Sequence, residues 1–304
     1  MTEYEGLLPL YKPRGMTSHD CVFRLRKLLR FKKIGHSGTL DPDVDGVLIL
    51  CLGRATKVAQ YLLEYGKKYK GVIRFGTSTT TEDAGGEIVE RKEARLPIAR
   101  AQVERVFDAF RGEIRQSPPM YSAVKVNGRK LYEYAREGMT VERPVRHVRI
   151  FNLVIDGCED SFLPDIPFEV MCSKGTYVRT LAVDIGRKLG YPSHLHSLTR
   201  IKEGPFELRD CLTFEQVEDL IANHQFAGYL KPLESGLGML DSWTVDDLLE
   251  RKIIHGAVLP APKGFQNHAC AVYNNKGNCL AVYRPHPDKQ GLVKPEKVLV
   301  TGDC

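Results

Sequence analysis

Residues 35–46 read GHSGTLDPDVDG, with three glycines, one proline and three aspartates in twelve positions. No helix or strand interior suits that mixture, because glycine gives up the most backbone freedom on ordering and proline removes a donor. The segment is a loop, and residues 47–52, VLILCL, follow it as a buried strand. The fold must therefore hold an acid-rich loop at the mouth of a core strand. Asp41 is the residue such a loop presents best, since Pro42 stiffens the chain after it and Thr39 and Leu40 anchor it from before. Three readings stand side by side. Carboxylates at 41, 43 and 45 resemble a divalent-cation loop, but the calcium pattern fails for want of its terminal glutamate. An aspartate held against an arginine would be a nucleophile or base. An Asp-Pro loop can also simply shape the chain.

The rest of the chain alternates irregularly. Residues 7–11 form a short strand stopped by the Lys12-Pro13-Arg14-Gly15 turn. Thr17 and Asp20 make a capping box for a helix whose apolar face is Val22, Leu25, Leu28 and Leu29. A helix over 55–63, a strand over 69–75, a polar loop over 76–88 and an amphipathic helix over 99–111 follow. Then come an Asn127-Gly128 turn, a strand pair over 145–155 and 167–173, a helix from Val178 to Leu189, a strand over 195–202 and a capped helix over 213–223. The pattern is mixed α+β without βαβ regularity or repeats. A boundary near 235–240 separates a tail with a helix at 246–254 and strand-like pieces at 269–273, 279–283 and 297–301.

A chain of 304 residues is two domains by size, and its 42% hydrophobic and 27% charged residues are ordinary for a globular fold. The densest apolar run, 47–52, is far short of the ~20 residues that cross a bilayer. The first ten residues carry two acids and no basic segment, so no secretory leader is expected and the cytoplasm is the expected location. Eight scattered cysteines without a CxxC pair read as free thiols. His194 and His196 alternate on a strand, which would point them to opposite faces, so no metal site is expected.

The net charge of +6 is unevenly spread. Residues 1–75 hold fourteen bases against seven acids, and 24–33 hold six bases and no acid: Arg24, Arg26, Lys27, Arg30, Lys32 and Lys33. Residues 111–149 hold nine bases against four acids, whereas 210–250 hold nine acids against one base. Basic faces separated by an acidic stretch suit a polyanion footprint, though helical bases also serve plain solvation. Arg179, at a helix start, could reach Asp41 as a bidentate fork. Tyr69 and Tyr177 could present rings to a base, and Lys12 could hold the first loop or contact phosphate.

Five stretches resemble the bacterial TruB family of transfer RNA pseudouridine synthases: LYKPRGMTSHD (10–20), GHSGTLDPDVDGVLILCLGRATK (35–57), KKYKGVIRFGTSTTTEDAGG (67–86), PPMYSAVKVNGRKLYEYAREG (118–138) and CSKGTYVRTLAVDIGRKLG (172–190). The resemblance implies a synthase fold with a central mixed, mainly antiparallel sheet at 1–235, and a small β-rich PUA-type RNA-binding domain at 236–304. It implies an insertion near 120–147 that closes over the T arm, and conversion of uridine 55 to pseudouridine without guide RNA, protein partner, cofactor or metal, by a monomer. The family's catalytic aspartate falls on Asp41, its stacking tyrosine on Tyr69, and its KGTYVR tyrosine and arginine on Tyr177 and Arg179. His36 takes the place of a histidine that packs where the RNA loop is remodelled. Lys12 matches the KPxG lysine, and Leu198 matches a pocket-wall leucine with Arg200 beside it. Lys125, Arg129, Lys130 and Arg200 join the 24–33 bases as expected RNA contacts. Val44 and Asp45 depart from the family pattern, and nothing in the sequence accounts for Asp45.

Other classes remain conceivable from sequence. They are a non-catalytic RNA-folding protein with the same pocket, and a guide-dependent synthase, against which the insertion argues. A glycosidase would need a second carboxylate as general acid.

Overall fold

The computed structural model describes residues 4–92, 97–266 and 268–300. A nine-stranded sheet organises the first part of the chain. Its strands run in the order Gly6–Lys12, Asp45–Leu52, Ser193–Glu203, Lys67–Phe75, Asp165–Cys172, Arg146–Ile155 and Gly112–Gln116, with Ile34–His36 and Phe206–Glu207 attached at the side. All pairings are antiparallel except Asp45–Leu52 with Ser193–Glu203, where Thr199 lies opposite Asp45 and Arg200 opposite Gly46. The sheet is thus mixed and mainly antiparallel, in an α+β fold, as expected.

Glycine is required where the parallel strands meet. Gly46 has φ +109°, and a Cβ there would stand 2.2 Å from the Arg200 carbonyl oxygen. Only a residue without a side chain lets the acidic loop enter its strand so close to its neighbour.

Helices Arg100–Phe110 and Val178–Leu189 cover one face over Val103, Phe107, Leu181 and Ile185, packed on Ile73, Phe168 and Leu195. The other core joins helix Ser18–Leu29 to Leu8, Leu10 and Leu48. That helix has the expected box: the Asp20 N–H donates to Thr17 Oγ1 and the Thr17 N–H donates back to Asp20 Oδ2. Its buried face is Cys21, Val22, Leu25 and Leu29, with Leu28 only partly covered. The second box, Thr213 with Gln216, caps helix Phe214–Ala222.

A second, five-stranded sheet orders Asp241–Val245, Cys270–Asn274, Cys279–Pro285, Leu292–Val298 and Leu259–Pro260, with helix Asp247–Ile254 against it. It shares apolar contacts with the first part: Ala55, Tyr61 and Leu62 cluster with Ala271, Cys279, Val282 and Leu299. Lys57 Nζ also donates to the Val298 carbonyl at 2.6 Å.

Several local expectations need correction. The last tail strand is Leu292–Val298, not 297–301; Pro295 hides it in the sequence and is accommodated opposite Tyr283 next to a bulge. The polar stretch after Phe75 is a hairpin, Thr77–Thr79 with Ile88–Arg91, rather than a plain loop. The helix expected over 55–63 is a 3-10 turn, Gly53–Lys57, followed by a short helix, Ala59–Leu62. His194 and His196 do not diverge: a bulge between Leu195 and Ser197 brings their ring centroids to 6.3 Å. Among the described residues, no group of three or more His, Cys, Asp or Glu side chains is arranged around a common point. Seven cysteines are free thiols, five of them buried, and Cys304 lies outside the described residues.

Candidate active site

The acidic loop is held by main-chain and buried polar contacts. Lys12 is fully buried, and its ammonium donates to the carbonyls of Pro13 (2.9 Å), Met16 (2.5 Å) and Pro42 (3.1 Å). The Gly15 N–H donates to the same Pro42 oxygen at 2.9 Å. On the other side of Asp41, the Leu40 N–H donates to Ser18 Oγ at 2.8 Å. The Val44 N–H closes the turn onto the Asp41 carbonyl at 3.1 Å. Leu40 and Val44 sink into the core on either side. Of the two roles open to Lys12, holding the loop is the one its geometry serves, and burial lowers its pKa. Asp45 also acquires an account: its carboxylate accepts from Tyr11 (2.8 Å) and Thr199 (2.5 Å) and lies 3.3 Å from Arg14 Nε. It ties the loop's exit to both neighbouring strands.

Asp41 faces Arg179, whose Nη2 is 2.9 Å from Asp41 Oδ2. The arginine is not a bidentate fork on Asp41. Its Nη1 turns to Asp83 Oδ2 at 3.5 Å and donates to the Thr81 carbonyl, while Nη2 also donates to the Tyr121 carbonyl, both at 3.0 Å. The guanidinium is thereby fixed from four sides. Asp83 reaches it because Glu82 adopts a left-handed backbone, φ 64°, which typically costs a non-glycine residue about 1–2 kcal/mol. Glu82 is secured by Thr180 Oγ1, which donates to its carboxylate at 2.7 Å. Burial pushes the Asp41 pKa up, Arg179 pulls it back, and Asp83 pushes it up again, leaving it above the ordinary aspartate value.

A cleft of about 270 Å³ opens beside this pair, walled by Tyr69, Leu198, Tyr177 and Ser122. A second hollow of about 580 Å³, holding Tyr121, Tyr132 and His196, shares Asp41 and Arg179 as its wall. Tyr69 is largely buried, and burial pushes its hydroxyl up to about 12, so it stays a neutral phenol. Beneath it the strand pairing sets Arg200 opposite Tyr69 and Glu203 opposite Lys67. Arg200 and Glu203 are both fully buried, with Nη2 2.9 Å from Oε2. Ser37 donates to Glu203 at 3.0 Å, and Arg200 Nε donates to the Val47 carbonyl at 2.7 Å. Gly71 allows Leu198 to lie across the sheet here, since a Cβ would sit 2.9 Å from Leu198 Cδ1.

Tyr177 caps helix Val178–Leu189. Its N–H donates to Gln116 Oε1 (3.0 Å) and its carbonyl accepts from Gln116 Nε2 (3.2 Å). Gln116 ends the strand leading into the insertion, so the insertion's root is clasped to the Tyr177–Arg179 turn. His36 lies on the short strand Ile34–His36; burial lowers its pKa, and its buried Nδ1 has no partner among the described residues.

The basic residues divide. Arg200 is inside the protein, so the expected RNA contact is corrected: the pairing with Glu203 that buries it leaves no guanidinium surface for a phosphate. Arg24 pairs with Glu218 at 2.8 Å and lies over the Phe214 ring, and Arg26 donates to the Ile34 carbonyl at 2.5 Å. Both are engaged in the fold. Lys27, Arg30, Lys32, Lys33 and Lys125 are exposed and, among the described residues, make no ion pair. Arg129 pairs with Glu137, and Lys130 donates to the Tyr132 hydroxyl at 3.2 Å. Asp83, Gln116 and Ser122 were not singled out from sequence, although all three lie in or beside the motif stretches.

Comparisons with known proteins place the chain in a family. Residues 26–178 match the model of the TruB family pseudouridylate synthase N-terminal domain, and residues 179–238 match that of the tRNA pseudouridylate synthase B C-terminal domain. The seam between the two falls inside helix Val178–Leu189. The chain is 54% identical over 296 residues to tRNA pseudouridine synthase B of Halalkalibacterium halodurans, covering 97% of each chain. It is 50% identical over 305 residues to the protein of the same name from Bacillus subtilis (strain 168), again covering 97% of each. Among solved structures, the chain resembles one in a Cbf5–Nop10–Gar1 complex, with TM-score 0.76, 27% identity, and 98% of this chain and 86% of that one covered. On the strength of these near full-length matches, the chain belongs to the TruB family of pseudouridylate synthases.

Proposed function

We propose that this protein isomerises uridine 55 in the T loop of transfer RNA to pseudouridine, with Asp41 as the reacting group. The observation that carries the reading is the Asp41–Arg179 contact of 2.9 Å at the wall of a cleft lined by Tyr69. A base inside a stack cannot enter such a cleft, so the target nucleotide is flipped out, at a cost of a few kcal/mol that an already bent loop lowers. Tyr69 stacks on the extruded uracil. The carboxylate of Asp41 either attacks the ribosyl C1′ or takes a proton from C2′ on a glycal route. In both, the N1–C1′ bond breaks with its electrons on the uracil and the ring turns. C5 then bonds to C1′ as the Asp41–C1′ ester bond breaks and frees the carboxylate, or, on the glycal route, as C2′ takes its proton back from Asp41. The proton on C5 is then lost and N1 regains one. Atoms and oxidation level balance within one nucleotide, so the chemistry calls for no cofactor. Arg179 orients Asp41 and favours its ionised form against burial. Tyr177, which lines the same cleft, is assigned to the final proton transfer.

We assign Lys27, Arg30, Lys32, Lys33 and Lys125 to the RNA backbone, with Arg129 and Lys130 on the insertion at about 120–147 closing over the T arm. The division into a synthase domain, 1–235, and a PUA-type RNA-binding domain, 236–304, is part of the same proposal. So is action as a cytoplasmic monomer, without guide RNA or a protein partner.

The test is to incubate the purified chain alone with an unmodified transfer RNA transcript and map pseudouridine at each nucleotide, with D41N alongside. Product at position 55 from the wild type only is expected. Product from D41N would overturn the role of Asp41. A folded wild type that binds the transcript without product would instead favour an RNA-folding protein or a guide-dependent enzyme.

A further inference from the structure

Ser122 stands apart among the residues of the cleft. It belongs to the PPMYSAVK segment at the root of the insertion, and its side chain is buried, with only 6% of the residue exposed. Among the described residues its hydroxyl oxygen has no hydrogen-bond partner, yet the residue lines the same cleft as Asp41 and Tyr69. A buried hydroxyl without a partner is a standing cost to the folded state, and such groups are uncommon in native proteins.

The main chain around Ser122 is held firmly. The Tyr132 N–H donates to the Ser122 carbonyl at 3.1 Å, and the Leu131 N–H donates to the Val124 carbonyl at 2.8 Å. One residue before, the Tyr121 carbonyl accepts from Arg179 Nη2, the nitrogen that also faces Asp41. The position of Ser122 is therefore set relative to the reacting pair, and only its side-chain torsion is free.

We propose that the Ser122 hydroxyl is a substrate contact, donating a hydrogen bond to a carbonyl of the uracil once that base occupies the cleft. The proposal rests on the reading of the cleft given above. A hydroxyl offers one donor and two acceptor positions and turns about a single bond. It can donate to a ring carbonyl or accept from a ring N–H. That is the versatility needed beside a base whose point of attachment moves from N1 to C5 as it turns. Apolar walls such as Leu198 hold a ring in any of these orientations, whereas a polar partner discriminates among them. Ser122 also places base recognition on the insertion, so that ordering the insertion and reading the base become one event.

The experiment compares wild type, S122A and D41N, all full-length, on transcripts carrying uridine, 2-thiouridine or 4-thiouridine at the target position. Thermal midpoints are measured on the same preparations. Because the hydroxyl has no partner among the described residues, S122A is expected to melt no lower than wild type. Its kcat/KM on uridine should fall about tenfold, the worth of one hydrogen bond. On at least one thio-substituted target the S122A penalty should shrink below about twofold, because sulfur is a poor acceptor and the bond is already weakened. An S122A enzyme as fast as wild type on uridine would overturn the assignment. So would an equal penalty on all three targets, or a lowered thermal midpoint that accounts for the loss. Absence of wild-type product, or turnover by D41N, would overturn the reading of the cleft itself, and the Ser122 contact with it.

Discussion

Arg179 Nη2 lies 2.9 Å from Asp41 Oδ2, with the other arm of the guanidinium on Asp83. The arginine is thus shared between two carboxylates, and the proton affinity of Asp41 depends on a residue that does not line the Tyr69 cleft.

The consequence is readable in pH. Burial raises the pKa of Asp41 and the charge of Asp83 raises it further, against the pull of Arg179. On the proposed mechanism the ionised form reacts, so activity should be lost on the acid side as pH falls through this raised value. D83N removes a charge that raises the pKa and frees Arg179 to serve Asp41 alone. Both effects have the same sign, and the acid limb of the kcat profile should move to lower pH. Misplacement of the guanidinium should also reduce the plateau. A limb that moves to higher pH would refute the coupling.

Tyr69 serves both the core and the cleft, which complicates any large truncation. Y69A should cost about 3–5 kcal/mol of stability, as large aromatic deletions in cores do. Y69F should retain most of the turnover, because the ring that stacks is intact. Y69L, which fills much of the volume without a π face, separates the two roles. Its activity should fall well below that of Y69F even where urea unfolding shows it folded, and equal rates for Y69F and Y69L would exclude stacking.

The pair Arg200–Glu203 sits under Tyr69 with both side chains out of solvent. Removing one partner of such a pair strands the other charge in the interior. E203A should therefore lose about 3–5 kcal/mol in equilibrium unfolding. A loss under about 1 kcal/mol would mean that water or another group relieves the arginine.

On the surface, Lys32 and Lys33 make no ion pair among the described residues, whereas Arg24 and Arg26 are engaged by Glu218 and Ile34. Replacing both lysines with glutamine should flatten the salt dependence of transfer RNA binding, by about 0.7–0.9 in log–log slope for each phosphate no longer neutralised. Replacing Arg24 should leave that slope unchanged. A filter-binding titration across salt concentrations measures both.

How far these features could be read beforehand depended on whether local chemistry decided them. The loop expected at 35–46 was plain over 37–44, where glycine, proline and aspartates exclude regular structure, but its ends, Gly35–His36 and Asp45–Gly46, are drawn into the strands Ile34–His36 and Asp45–Leu52. Both capping boxes announced their helices. The meeting of Asp41 and Arg179 could be named from the residues only as one possibility, and the family motifs singled it out, since 138 positions of chain separate them and periodicity says nothing of such distances. Asp83 was hidden in a stretch that looks like solvated loop, because its aim depends on the left-handed backbone of Glu82. Arg200 looked like a phosphate ligand. Its burial follows from strand register, which sets it opposite Tyr69 with Glu203 three positions on. A bulge likewise defeated the simple alternation assumed for His194 and His196.

The apolar cluster shared by Leu62, Ala271, Val282 and Leu299 joins the terminal sheet to the framework that carries Asp41. The terminal sheet is therefore no tethered arm swinging on a linker. On the proposed function, an RNA gripped by the terminal sheet would be held at a fixed offset from Asp41, and the protein would work as a caliper. It would then accept or refuse a substrate by the span between two points, before any base is read.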